Sequence, residues 1–186
     1  MIRTVLLLVV VAVVAMLLYA ATRPDTFAVQ RQISIRASAQ HVYPLINDLH
    51  QFNVWNPYVA KDPQIKLSYS GPSNGPGAAY DFQGNKNVGK GRIEILSVSE
   101  PDKVSMKLDM IEPFEGHNLV DFTLAPNRAD PALLDVTWAM HGPSAFMGKV
   151  MGLFFNMDEM IGRDFEAGLA RLKAQAEQPP SKKDAS

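Results

Sequence analysis

Between residues 65 and 141 the chain is a succession of short segments in which apolar and polar side chains alternate, separated by turn signals. The segments are 65–69, 78–82, 91–99, 103–110, 116–125 and 134–141, and an earlier one, 27–35, has the same period. Alternation of this kind places the apolar residues on one face of a strand. Between the segments stand 71–77 (GPSNGPG), the Gly-, Asn- and Lys-rich 84–89, and 100–102 (EPD). Their Gly, Pro and Asn residues favour tight turns. Connections this short join antiparallel neighbours, because a parallel crossover needs a dozen residues or more. Ser38 reads as the N-cap of a short helix reaching Asp48, and 53–58 (NVWNPY) as a turn region punctuated by Pro57. The pattern predicts one long amphipathic helix over 146–176, and its apolar stripe must be buried on the sheet. The expected fold is α+β: a curved antiparallel sheet of about seven strands gripping a long C-terminal helix, preceded by one N-terminal transmembrane helix.

That first helix is residues 4–21 (TVLLLVVVAVVAMLLYAA), a run without a charge or a proline. At a rise of about 1.5 Å per residue it reaches roughly 27 Å, close to the hydrocarbon thickness of a bilayer. A cleaved signal peptide is the rival reading; it would have an apolar region of about 7–15 residues and a small-x-small site. The run ends Leu17-Leu18-Tyr19-Ala20-Ala21, without such a triplet, so an uncleaved single-pass anchor is expected. Arg3 lies on one side and Arg23 and Arg31 on the other, which biases orientation only weakly. The expectation is a membrane protein with its domain on the extracytoplasmic side. The chain then divides into an anchor and linker (1–25), one folded domain (26–177) and a polar, disordered tail (178–186, QPPSKKDAS).

Composition removes several function classes. The net charge of −1 offers nucleic acid no basic footprint. The absence of cysteine excludes disulfides, thiol catalysis and cysteine–zinc sites. His41 and His50 lack helical ligand spacing, while His117 and His141 share the outward phase of their strands; no H-E-x-x-H occurs. No nucleophile elbow, P-loop or Rossmann glycine pattern is present, and Gly89-Lys90-Gly91 reads as a turn at a strand edge. No catalytic residue, metal or cofactor is therefore expected.

The candidate site is an apolar space between helix and sheet. Met147, Met151, Phe154, Phe155, Ile161, Phe165, Leu169 and Leu172 lie near one stripe, which Phe146, Met157 and Met160 widen. Met and Phe adapt to irregular ligands, although plain core is the alternative. Residues from Phe165 onward read as core, whereas Met147, Met151 and Phe154 read as cavity wall. Val104, Met106, Leu108 and Met110, then Val120, Phe122 and Leu124, then Val136, Trp138 and Met140 should face inward from the sheet. Arg31 and Asn118 share that phase, and Tyr69, Tyr80 and Trp138 add polar handles that could orient a ligand. Trp55 is either part of the pocket mouth or part of a turn plugging the barrel end. Asp158 falls within the helix's apolar arc, where a carboxylate needs a partner or a function.

A set of motifs carries a family resemblance. It comprises 48–57 (DLHQFNVWNP), Asp62-Pro63, Tyr69-Ser70-Gly71, Gly75-Pro76-Gly77, Gly89-Lys90-Gly91, Pro113-Phe114, Thr137-Trp138-Ala139-Met140 and 157–172 (MDEMIGRDFEAGLARL). Over residues 27–173 the chain resembles the bacterial polyketide cyclase/dehydrase-like branch of the START/SRPBCC helix-grip superfamily. The resemblance implies a helix-grip fold with a deep hydrophobic cavity, and no single reaction. The expected function is membrane-tethered binding or transfer of a lipid or other hydrophobic small molecule. The alternatives are a cyclase/dehydratase-type enzyme, with Asp158 as its acid–base group, and a non-enzymatic envelope interaction module.

Overall fold

Seven strands pair into one antiparallel sheet in the order β1-β7-β6-β5-β4-β3-β2. They are β1 (Thr26–Ile35), β2 (Lys66–Ser70), β3 (Ala79–Gln83), β4 (Lys90–Ser99), β5 (Lys103–Glu112), β6 (Gly116–Pro126) and β7 (Leu134–Pro143). The computed structural model describes residues 2–144 and 146–178; the side chain of Met147, and the tail beyond Gln178 on which disorder was expected, lie outside them. The turns follow the predicted chemistry: Gly71, Gly75 and Gly77 adopt positive φ, which glycine alone reaches without strain.

A helix precedes the sheet, α1 (Ile2–Ala21), and three short ones join β1 to β2: α2 (Ala39–Asn47), α3 (Leu49–Trp55) and α4 (Pro57–Lys61). The Ser38 side chain accepts from the His41 N–H and caps α2 as predicted. The expected turn over 53–58 is instead helical on both sides of one joint. Asn56 ends α3, and its side chain accepts from the Tyr58 N–H to start α4, with Pro57 in the first turn. A proline is tolerated there because that N–H has no intrahelical partner.

The predicted long C-terminal helix is also interrupted, into α5 (Phe146–Met151) and α6 (Met157–Ala176). Gly152 weakens the helix by about 1 kcal/mol relative to alanine. Asn156 then caps a new one, accepting from the Glu159 N–H at 3.1 Å, with Asp158 and Glu159 in its first turn. The break ends the helical phase, so residues before it do not continue the α6 stripe.

The concave face grades from closed to open. At the far end Ile35, Val104, Phe122, Leu124 and Val136 are buried beneath α2, α3 and α6. Toward the start of β1, Phe27, Leu108, Met110 and Ile161 are only partly covered. In the antiparallel sheet β1 and β6 begin, and β5 and β7 end, at this second edge. It is also where α1 joins the domain; α1 touches α5 and buries only Ala20.

Candidate functional site

The deep half of the grip is filled by aromatic rings. Phe122 and Trp138 are partners in the β6–β7 register. Trp138 stacks on Phe165 of α6 at 4.1 Å and lies 5.0 Å from Phe122. From α3, Trp55 meets Phe122 at 5.8 Å and Trp138 at 5.7 Å, and Phe52 meets Trp55 at 4.8 Å. Such edge-to-face and offset geometries add to the burial of large apolar area. A Cβ at Gly168 would stand 2.7 Å from the Trp138 ring and 2.8 Å from Pro57, so the missing side chain is what lets α6 approach. The Trp55 indole N–H donates to the Leu45 carbonyl at 2.8 Å. The Trp138 indole N–H is buried and has no hydrogen-bond partner among the described residues. Met106 and Met140 belong to the same buried cluster.

A second group is polar and internally satisfied. Asn53 donates to the Tyr69 hydroxyl at 3.0 Å, and Asn56 donates to Asn53 Oδ1 at 2.9 Å and to the Tyr80 hydroxyl at 3.2 Å. His50 stacks on Tyr69 at 3.9 Å. Burial pushes the Tyr80 hydroxyl pKa well above its ordinary value, so it stays neutral. The network ties the α3–α4 joint to β2 and β3. Tyr80 belongs to the same buried cluster as the rings above, meeting Tyr69 at 5.8 Å and Phe82 at 6.2 Å.

Arg31 crosses from β1 to α6. Its guanidinium donates to both carboxylate oxygens of Asp158, at 3.2 and 3.0 Å, and through Nε to Glu166 at 2.8 Å. Asp158, Gly162 and Glu166 are four residues apart and share one helix face. A Cβ at Gly162 would overlap the guanidinium, so that glycine is the seat in which the arginine lies. The hydrogen bonds from Arg31 hold the Asp158 carboxyl below its ordinary pKa, and those to Asp158 and Glu166 raise that of Arg31. Both carboxylates are exposed. An ionised, clamped carboxylate of this kind is a poor proton donor.

The remaining candidates lie at the open edge. The expectation put Met151 and Phe154 around one space with Phe122 and Trp138. The structure divides them: Phe122 is 0% exposed and Phe154 65%. The physical reason is the helix break at 152–156, which carries Met151 and Phe154 out of the α6 stripe. Asn118 sits on β6 over Gly142, where a Cβ would collide with its side-chain oxygen. Beside these lies a cleft of about 570 Å³ between the linker, the start of β1 and the α5–α6 connection. Phe27, Leu153, Phe154, Phe155 and Met157 supply apolar wall, and Arg23, Ser144 and Lys149 polar groups. Lys149, whose side chain is 8% exposed, pairs with Asp25. The linker's part in this cleft was not read from the sequence. Its signal is proximity alone: four residues separate the end of α1 from β1, so whatever flanks β1 lies near α1. Among the described residues no three His, Asp or Glu side chains gather as a metal site would require.

The family described as "Polyketide cyclase / dehydrase and lipid transport" matches residues 26–177. A search of curated proteins finds no significant match. Solved structures similar to this chain include protein CV1439 of Chromobacterium violaceum, with a TM-score of 0.57 and 16% identity over 84% of this chain and 100% of that one. The major latex-like protein 151 of Panax ginseng has a TM-score of 0.57 and 10% identity, covering 83% and 100%. Protein Ms6760 of Mycobacterium smegmatis has a TM-score of 0.53 and 18% identity, covering 81% and 91%. At these identities the likeness establishes the fold.

Proposed function

The chain belongs to the polyketide cyclase / dehydrase and lipid transport family, and on that footing we propose that it binds, and hands to or from the bilayer, a lipid or other hydrophobic small molecule while tethered by α1. The observation that carries this reading is the position of the cleft. A concavity of about 570 Å³, walled by Phe27, Leu153, Phe154, Phe155 and Met157, lies at the foot of a helix long and apolar enough to cross a membrane. Volume of that order suits a small ligand, and a few polar groups at an apolar wall orient one. Arg23, a cation in the cleft lining, favours an amphiphile whose polar end is acidic. Leu108, Met110 and Ile161 are also half-covered and apolar. In this reading the domain stands on the extracytoplasmic side, and the clamped Asp158 has no part in proton transfer.

The test is native mass spectrometry of the full chain extracted in mild detergent, with uptake of a fluorescent fatty-acid probe as a second readout. A copurifying lipid, displaced by the probe, is the expected result. Protein that carries no lipid and takes up no probe would remove the proposal. N-terminal sequencing of the native protein checks the tether: a sequence beginning at Ala21 or later would remove the anchor while leaving ligand binding open.

A further inference from the structure

The two ends of the sheet differ in what they show to solvent. At the far end the β4–β5 turn is Glu100-Pro101-Asp102, and 127–133 (NRADPAL) joins β6 to β7; neither exposes a large apolar side chain. At the anchor end two separate connections do. The segment from α5 to α6 exposes Phe146, Phe154, Phe155 and Met160, the end of β5 exposes Ile111, and the β5–β6 turn exposes Phe114, the last at 64%. Several large apolar side chains exposed at one end of a domain mark an interaction site.

What covers it follows from chain length. Asp25 lies four residues beyond the last residue of α1, a reach of at most about 14 Å. Its carbonyl accepts from the Ser144 N–H at 2.7 Å, and its carboxylate pairs with Lys149 of α5. α1 itself touches α5, and its buried residue, Ala20, lies in its last turn. A helix beside the final turn of a membrane span lies at the headgroup boundary. β6 begins two strands from β1 in the sheet, about 10 Å sideways, so Phe114 projects from the same edge.

We propose that this edge of the domain docks into the bilayer surface, with Phe154 and Phe155 embedded on one side and Phe114 on the other, so that the cleft opens into lipid rather than water. The proposal rests on reading α1 as a membrane span, and it deepens the proposed function by fixing where a ligand passes. Interfacial segments bury their apolar face about 5–10 Å into the headgroup region. The attraction is apolar rather than electrostatic. Lys149 pairs with Asp25, Arg163 with Glu159, and Arg31 with Asp158, which among the described residues leaves Arg23 as the single cation of the cleft lining outside these pairs, against several exposed aromatic and aliphatic side chains. Docking should therefore need no anionic lipid and resist salt.

The chain contains no cysteine, so single labels can be placed without background. The full chain carrying Phe155→Cys, Phe114→Cys, Val10→Cys or Ala132→Cys, each with an environment-sensitive fluorophore, is reconstituted into phosphatidylcholine vesicles containing brominated acyl chains. Phe154→Cys serves as a second probe of the same segment. Labels at 155, 154 and 114 are expected to lose more than half their emission, and the far-end label at 132 almost none. Emission should be unchanged by added anionic lipid or salt. If the Val10 label is quenched while 155, 154 and 114 behave like 132, the proposal is overturned and the anchor reading stands. Quenching on only one side overturns the two-sided placement. If Val10 is unquenched, the anchor reading fails; quenching at both sites would then still support docking, and its absence would remove both.

Discussion

Replacing Phe122 with alanine tests how the grip is filled. The ring is fully buried and lies 5.0 Å from Trp138, 5.8 Å from Trp55 and 5.9 Å from Phe52, the last two edge-on. Truncation removes the apolar contacts and leaves a hole bounded by three aromatic side chains. Loss of phenylalanine at a packed site costs about 3–5 kcal/mol, the larger values where surroundings cannot collapse. The neighbouring rings are held on two different elements, α3 and β7, and Trp138 is itself stacked on Phe165 of α6, so the upper half of that range is expected. With a urea m-value of about 2 kcal/mol/M, a loss of about 4 kcal/mol lowers the unfolding midpoint by roughly 2 M. Urea titration of the full chain in mild detergent, followed by tryptophan fluorescence, reads this directly, because both tryptophans adjoin the site. Phe154→Ala is the matched control: its ring is mostly exposed, and surface changes stay within about 0.5 kcal/mol. A loss below about 1.5 kcal/mol for Phe122→Ala, with m unchanged, would refute the reasoning. It would mean that the space beside Phe122 is already open and that the deep half is ligand cavity.

Two further outcomes concern the arginine clamp. Gly162→Ala should displace the Arg31 guanidinium and let the Asp158 carboxyl pKa rise toward the ordinary value of about 3.9, as read by NMR titration; an unchanged value would show that the clamp does not need the glycine. Because the folded-state pKa of Asp158 is depressed, its contribution to stability is present above the unfolded value and lost as pH falls through the folded one. The variant should therefore lose less stability than the parent on acidification below about pH 4. Asp158→Asn should leave uptake of the fluorescent fatty-acid probe within a few-fold, with no turnover removed; a large loss of uptake would place the carboxylate at the ligand.

Residue periodicity determined most of the architecture. Period-two alternation marked all seven strands to within a few residues, and short turn-rich connections left antiparallel pairing as the economical topology. The inward phase of Phe122, Trp138 and Met140 was legible for the same reason, since a strand side chain has only two faces to choose from. Asp158 was legible as an anomaly, and its partner Arg31 as another. Their pairing was not, because nothing local links β1 to α6. The bracket of Asp158, Gly162 and Glu166 becomes meaningful only when a cation is laid across it.

The sequence by itself also determined that residues 4–21 are long and apolar enough to span a bilayer, a matter of length and composition. Whether an inward-facing side chain meets a ligand or another side chain was decided by tertiary structure alone. Phe52 and Trp55 enter the grip from α3 and occupy the space that the strand pattern left open beside Phe122 and Trp138. Helical phase across 152–156 was a tertiary matter too: Gly152 and Asn156 permit a break, and burial of the α6 stripe on β1 and β7 compensates for the lost hydrogen bonds. The physical reason is common to both cases. Local pattern specifies which face of an element is apolar, but which apolar faces meet depends on contacts between residues far apart in the chain.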